Sequence, residues 1–177
     1  RTCWDTVTAV LPHASRVLLW GPPGTGKTHS GVYEGLKAKQ QVYSIYITEY
    51  TPVSEPRGNI FPTVEDGQRV YRWQDGPAVL AYRHGHRLVV NEIDKASDDC
   101  MTFFLALFDD ESVSRITLPT GEVIKRHPDF TVVATMNARP IALIDPLRDR
   151  FTVTIHVDKV HPAAVAALPE SVRTVAK

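Results

Sequence analysis

Cysteine is scarce, with Cys3 and Cys100 the only two in 177 residues. They have neither metal-site spacing nor the density of a disulfide scaffold, so reduced thiols and a cytoplasmic setting are expected. Charge of one sign is also missing, because 20 basic side chains balance 20 acidic ones. That balance gives no reason to expect a nucleic-acid or anionic-membrane surface. No apolar run reaches the length of a membrane span, and no signal-peptide pattern occurs. His13, His29, His84, His86, His127, His156 and His161 form no recognisable metal set. His84 and His86 flank Gly85, where a solvent-facing turn is expected rather than a metal pair. Internal repeats and low-complexity tracts are absent too. Arg1 is not an initiator residue, and the expectation is an excerpt or a processed product.

What remains is 43% apolar, enough for a real core in one domain or in one domain with a fragment of a second. The chain is organised around Gly21-Pro22-Pro23-Gly24-Thr25-Gly26-Lys27-Thr28, a complete phosphate-binding loop of the G-x-x-x-x-G-K-[ST] kind. Its glycines let successive backbone N–H groups point at a phosphate chain. Lys27 has the reach for the β- and γ-phosphates, and the Thr28 hydroxyl is a Mg²⁺ ligand in this pattern. His29 follows directly and is counted with the nucleotide-binding residues. Val17–Trp20 before the loop reads as a short buried strand. Thr28 to Lys39 after it reads as a helix whose positive end faces the phosphates.

Along the chain, Thr2 to Leu11 predicts a short helix capped by Thr2. Val42–Ile47 predicts a second strand. Periodicity then fails from Thr48 to about Trp73, where prolines and glycines punctuate a segment too long for an idle connection. Within it, Val70–Trp73 reads as one arm of a hairpin. Asp75 to Tyr82 predicts a short helix with Pro77 in its first turn. Arg87–Glu92 is the next strand and Asp98–Phe108 a helix capped by Ser97 or Asp98. Val113–Lys125 predicts a hairpin turning at Thr120-Gly121. Phe130–Met136 and Phe151–His156 are the last strands, with a short helix between Ile141 and Arg150. Strands separated by helices imply an α/β fold, a mostly parallel sheet with helices on both faces. Ligand-binding residues then belong at the carboxyl ends of the strands, where the loop, Glu49, Asn91-Glu92 and Asn137 fall.

Leu88-Val89-Val90-Asn91-Glu92 has the form of a second nucleotide motif, an apolar strand ending in two polar residues. Glu92 is the candidate to polarise an attacking water. Asn91 stands where an aspartate normally supports Mg²⁺. Its amide oxygen accepts hydrogen bonds but carries no charge.

With both motifs placed, the chain resembles the nucleotide-binding domain of an AAA+ ATPase, specifically the MoxR-like branch, over roughly Val10 to Asp158. Gly21–Thr28 matches Walker A, and Leu88–Glu92 with Ile93-Asp94-Lys95-Ala96 matches the Walker B region. Thr135-Met136-Asn137 matches sensor 1, and Leu147-Arg148-Asp149-Arg150-Phe151 matches the arginine-finger segment. The resemblance implies a P-loop NTPase AAA+ core with a five-stranded parallel sheet, spanning 1–157. Within that core lie an insertion at about 49–73 and a hairpin at about 113–125. The remainder, 158–177, is a linker and the start of a helical lid otherwise absent. Implied with it are ATP/ADP and Mg²⁺ as cofactors and the catalytic residues Glu92, Asn137, Arg150 and Arg148, the arginines acting on a neighbouring subunit. Thr28 and Asn91 stand on the metal side.

The resemblance further implies a homo-oligomeric, hexameric ring that remodels or matures a protein client, often beside a von Willebrand factor A domain protein. Two other readings stay open. One is a nucleotide-binding switch or scaffold with weak hydrolysis. The weaker one is a nucleic-acid motor, which needs a basic strip drawn from Arg69, Arg72, Arg83, Arg87, Lys125 and Arg126. Locally, pairing of Arg148 and Arg150 with Asp145 and Asp149 is the plainer role for those arginines.

Overall fold

The computed structural model describes residues 2–167. The first helix, α1 (Cys3–Val10), is closed by a capping box: the Thr2 hydroxyl accepts from the Asp5 N–H and the Asp5 carboxylate accepts from the Thr2 N–H. Strand β1 (Arg16–Trp20) leads through the glycine-rich loop into α2 (Lys27–Tyr33). Strand β2 (Val42–Tyr46) is followed by a one-turn helix α3 (Ser54–Arg57). The antiparallel arms β3 (Gly58–Glu65) and β4 (Gln68–Asp75) come next. Helix α4 (Pro77–His84), strand β5 (Arg87–Asn91) and helix α5 (Asp98–Leu107, capped by Ser97) bring the chain back to the core. A small hairpin, β6 (Arg115–Thr117) with β7 (Val123–Lys125), precedes β8 (Thr131–Met136). Helix α6 (Asp145–Arg148), strand β9 (Val153–His156) and helix α7 (Pro162–Ala167) complete the described chain.

Strands β2, β5, β8, β1 and β9 lie side by side in that order, all parallel. The period-two geometry of a strand divides their side chains between two cores. Leu18, Leu88, Val90, Val132, Ala134 and Met136 face one core, shared with α4, α5 and α6 through Tyr82, Phe104 and Leu147. Val17, Leu19, Val89, Val133 and Ile155 face the other, closed by Trp4 and Val7 of α1. Strands buried on both faces read as unbroken apolar runs, as those of β1, β5 and β8 do.

Two expectations need correction. The helix after the loop stops at Tyr33 instead of running to Lys39. The chain leaves the helix at Glu34 and Gly35, the latter at φ +63°, and a residue far away in sequence holds that exit: the Arg87 guanidinium, 1% exposed, donates to the carbonyls of Gly31, Glu34 and Gly35. The guanidinium thereby satisfies carbonyls that the end of the helix leaves without partners. The irregular segment contains a full two-stranded ribbon, of which the sequence showed one arm. Pro62 is accommodated because β3 has a free edge. Asp66 and Gly67, both at positive φ, form its tight turn. The short helix expected between Ile141 and Arg150 is present as α6, with a separate 3₁₀ turn, Pro140–Ala142, ahead of it. Of residues 158–177, expected to be a linker and the start of a helical lid, 168–177 lie outside the described part of the chain.

Candidate nucleotide site

The loop between β1 and α2 sits at the carboxyl end of β1, between β8 and β9. Gly21, at φ +145°, begins it. A Cβ there would run into the Val157 carbonyl oxygen, so only glycine fits between β1 and the exit of β9. Lys27 is 7% exposed and its ammonium donates to the carbonyls of Gly21 (2.8 Å) and Pro22 (2.7 Å). Burial pushes this ammonium below its ordinary range, while the Glu92 carboxylate pulls the other way.

Glu92 follows β5 in the left-handed region, at φ 57° and ψ 43°. A non-glycine residue in that conformation is held by its surroundings. It turns the chain from the strand into the 3₁₀ turn Ile93–Lys95 and aims its carboxylate at the end of β8. There Asn137 Nδ2 donates to Glu92 Oε1 at 2.8 Å. Beneath them the Thr28 hydroxyl donates to Asn91 Oδ1 at 2.6 Å.

One cavity of about 360 Å³ is lined by Pro23, Gly24, Gly26, Lys27, Thr28, His29, Glu92, Thr135 and Asn137. The structure therefore brings together almost the whole predicted constellation. Thr25 is buried and closes the turn by donating to the Pro22 carbonyl. Pro22 itself is exposed on the loop. Glu49 is exposed in the turn after β2 and is not part of this lining.

The two arginines stand elsewhere. Arg148 pairs with Asp145 at 2.7 Å, as the local sequence suggests. Arg150 does not pair with its neighbour Asp149; its Nε lies 3.3 Å from Asp109 Oδ1, without hydrogen-bond geometry. Thr152 next to it bonds the Arg16 carbonyl, at the start of β1, whereas the loop begins after Trp20. Four residues of strand separate those ends by roughly 13 Å, so Arg150 is remote from its own loop.

Sequence reasoning overlooked two parts of the site. Thr135 lines the cavity and donates to Asn91 Oδ1 at 3.1 Å; a hydroxyl near the carboxyl end of the Phe130–Met136 run, where ligand-binding residues fall, was its signal. The segment after β9 also returns to the loop. The His161 N–H bonds the Thr25 carbonyl, its ring bonds Glu34 of the α2 exit at 2.6 Å, and the Trp4 indole donates to the Lys159 carbonyl. No local pattern announces those long-range contacts.

Among the described residues, no three or more of His, Cys, Asp and Glu group so as to hold a metal ion, and no helix is long and apolar enough to cross a membrane. The arginines of the supposed basic strip are largely committed within the chain. Arg72 pairs with Glu65, Arg83 with Asp75 and Glu122, and Arg87 and Arg126 are buried on backbone carbonyls.

Strand, glycine-rich loop, helix and a five-stranded parallel sheet with this site at its carboxyl edge define the P-loop nucleoside-triphosphatase fold of AAA+ proteins. The chain belongs to the family described as AAA domain (dynein-related subfamily), whose sequence model matches residues 16–151. An uncharacterized protein of Staphylococcus aureus strain USA300 is 29% identical over 164 residues, covering 89% of this chain and 60% of that protein. The counterpart in strain COL matches equally, so the chain spans about 60% of the length of these relatives. Among solved structures, NtrX from Brucella abortus superposes with a TM-score of 0.66 at 18% identity, covering 89% of this chain and 36% of that one. NtrX in complex with ATP gives 0.64 at 17% identity, covering 89% and 36%. At such identities the likeness carries the fold alone.

Proposed function

We propose that the chain binds ATP with Mg²⁺ and hydrolyses it to ADP and phosphate, as a MoxR-like AAA+ ATPase driving remodelling or maturation of a protein complex. The observation that carries this reading is the convergence of Lys27, Thr28, Glu92 and Asn137 on one cavity at the mouth of the glycine-rich loop. The loop amides and Lys27 hold the phosphates. Glu92 orients and polarises the attacking water, and Asn137 fixes the Glu92 carboxylate. Thr28 is the residue that would hold Mg²⁺ through its hydroxyl oxygen, while Asn91 accepts that hydroxyl's hydrogen from behind. A neutral hydroxyl oxygen suits a hard cation that draws its remaining ligands from water and phosphate. Bound there, the ion supplies charge stabilisation for the phosphate oxygens. The ATP complex of NtrX supports the nucleotide by analogy of fold.

Because Arg150 is remote from its own loop, it serves a neighbour's nucleotide, with Arg148 as a second such group. A trans arginine raises turnover by roughly 10³–10⁵-fold in nucleotide hydrolases. That arrangement needs a homo-oligomeric ring, here a hexamer in the cytoplasm. Residues 1–157 form its core and the chain from 158 opens a helical lid. A von Willebrand factor A domain protein is the proposed partner, and a protein the client.

ATP turnover of the full-length protein, read with its size distribution with and without ATP, tests the reading. Steady turnover and ATP-dependent assembly are expected. ATP binding without turnover would replace it by a nucleotide-binding switch or scaffold, the reading that the uncharged Asn91 favours.

A further inference from the structure

Asn91 is 1% exposed, and all four of its hydrogen-bonding positions are used. Oδ1 accepts from the Thr28 hydroxyl at 2.6 Å and from the Thr135 hydroxyl at 3.1 Å. Nδ2 donates to Ser44 Oγ at 3.1 Å and to the Ile45 carbonyl at 3.1 Å. Three of these partners are hydroxyls, which donate or accept as required, so they do not discriminate between an amide and a carboxylate. The Ile45 carbonyl accepts only. It therefore fixes which end of the amide faces β2. It also disfavours a carboxylate, whose oxygen would face a carbonyl oxygen with no proton between them at the buried end of the side chain.

We propose that Asn91 is a positioning residue to which its site is fitted as an amide. Its NH₂ group is anchored on Ile45 of the neighbouring strand so that its carbonyl holds the Thr28 hydroxyl in place. The cation side of the pocket is thus built around an uncharged side chain, and restoring an aspartate there is a loss rather than a repair. This inference rests on the nucleotide-site reading above, but not on its hydrolysis step.

The full-length protein and two variants, Asn91→Asp and Asn91→Ala, test it by two measurements. The first is the thermal midpoint in EDTA without nucleotide. The order expected is parent, then Asn91→Ala, then Asn91→Asp, with the aspartate variant about 3–8 °C below the parent. An aspartate variant that does not fold while the alanine variant does gives the same order. The second is ATP affinity in EDTA and in Mg²⁺. Asn91→Ala should keep its affinity in EDTA within about twofold while losing about tenfold of the gain that Mg²⁺ confers, as when a group orienting a metal ligand is removed. An aspartate variant at least as stable as the alanine variant would overturn the proposal, as would an unchanged Mg²⁺ gain in Asn91→Ala. A parent that binds ATP and Mg²⁺ but does not turn over sinks hydrolysis alone, since neither readout depends on turnover.

Discussion

Asn137 and Glu92 end neighbouring parallel strands, and the amide of one donates to the carboxylate of the other at 2.8 Å. The acid is thereby held from the side. A glutamine at position 92 would accept the same bond, so Glu92→Gln removes the base and leaves its position intact. ATP turnover should fall by roughly 10²–10⁴-fold. Nucleotide affinity, measured with a fluorescent ATP analogue, should stay near the parent's. A variant that retained half of the parent's rate would remove Glu92 from the proposed chemistry.

The remoteness of Arg150 from its own loop leads to a prediction about mixtures. Rings of Arg150→Ala subunits alone and of Glu92→Gln subunits alone should both be nearly inactive. Mixed rings contain interfaces at which an intact Glu92 meets an intact Arg150, and turnover should reappear with a maximum near equal proportions. A mixture no more active than its components would show that the site is not shared between subunits.

Arg87 holds the exit of α2 from the first residue of β5. Burial pushes its guanidinium down to about 10, which leaves it charged at neutral pH. Arg87→Met should strand the carbonyls of Gly31, Glu34 and Gly35 and cost about 3 kcal/mol. In a chain of this size that corresponds to a midpoint lower by roughly 6–12 °C. Arg87→Lys should recover little, because one ammonium does not reproduce a planar fork reaching three carbonyls. Full recovery by lysine would show that the charge alone matters at this position.

His161 bonds Glu34 at 2.6 Å and packs edge-on against Trp4, with ring centroids 4.5 Å apart. His161→Ala should release the segment after β9 from the loop and expose the Trp4 indole. A red shift of tryptophan emission and faster amide exchange near Lys159 are expected. Unchanged exchange at that segment would show that the Val157 and Trp4 contacts hold it without the histidine.

Legibility in the sequence followed the range of the interactions. The glycine-rich loop, the apolar strand before Glu92 and the Thr2 cap are local patterns, and each appears in the structure where those patterns put it. The early end of α2 has a local signal in Gly35, at φ +63° just past the last turn, and a distant support in Arg87, more than fifty residues away, which no local pattern shows. The ribbon from Gly58 to Asp75 was half hidden by Pro62, which breaks a strand pattern but not a strand with a free edge. Asn91 was legible as a departure from the metal-supporting aspartate. What makes an amide fit there is the Ile45 carbonyl, a backbone group with no signature in the sequence.

The ribbon of β3 and β4 is a mechanical arm. At about 3.3 Å per residue its eight-residue strands reach roughly 26 Å, so a 10° tilt at the root moves the tip about 4–5 Å. The root has almost no slack, since a Cβ on Gly58 would strike the Gln74 carbonyl oxygen and one on Gly76 the Pro56 carbonyl oxygen. That joint rests on α3 and α4, and α4 packs on β2 and β5, the strands that carry Ser44, Ile45 and Asn91. A tilt of α4 on β2 and β5 would thus be enlarged to a displacement the size of an amino-acid side chain at the far end of the ribbon.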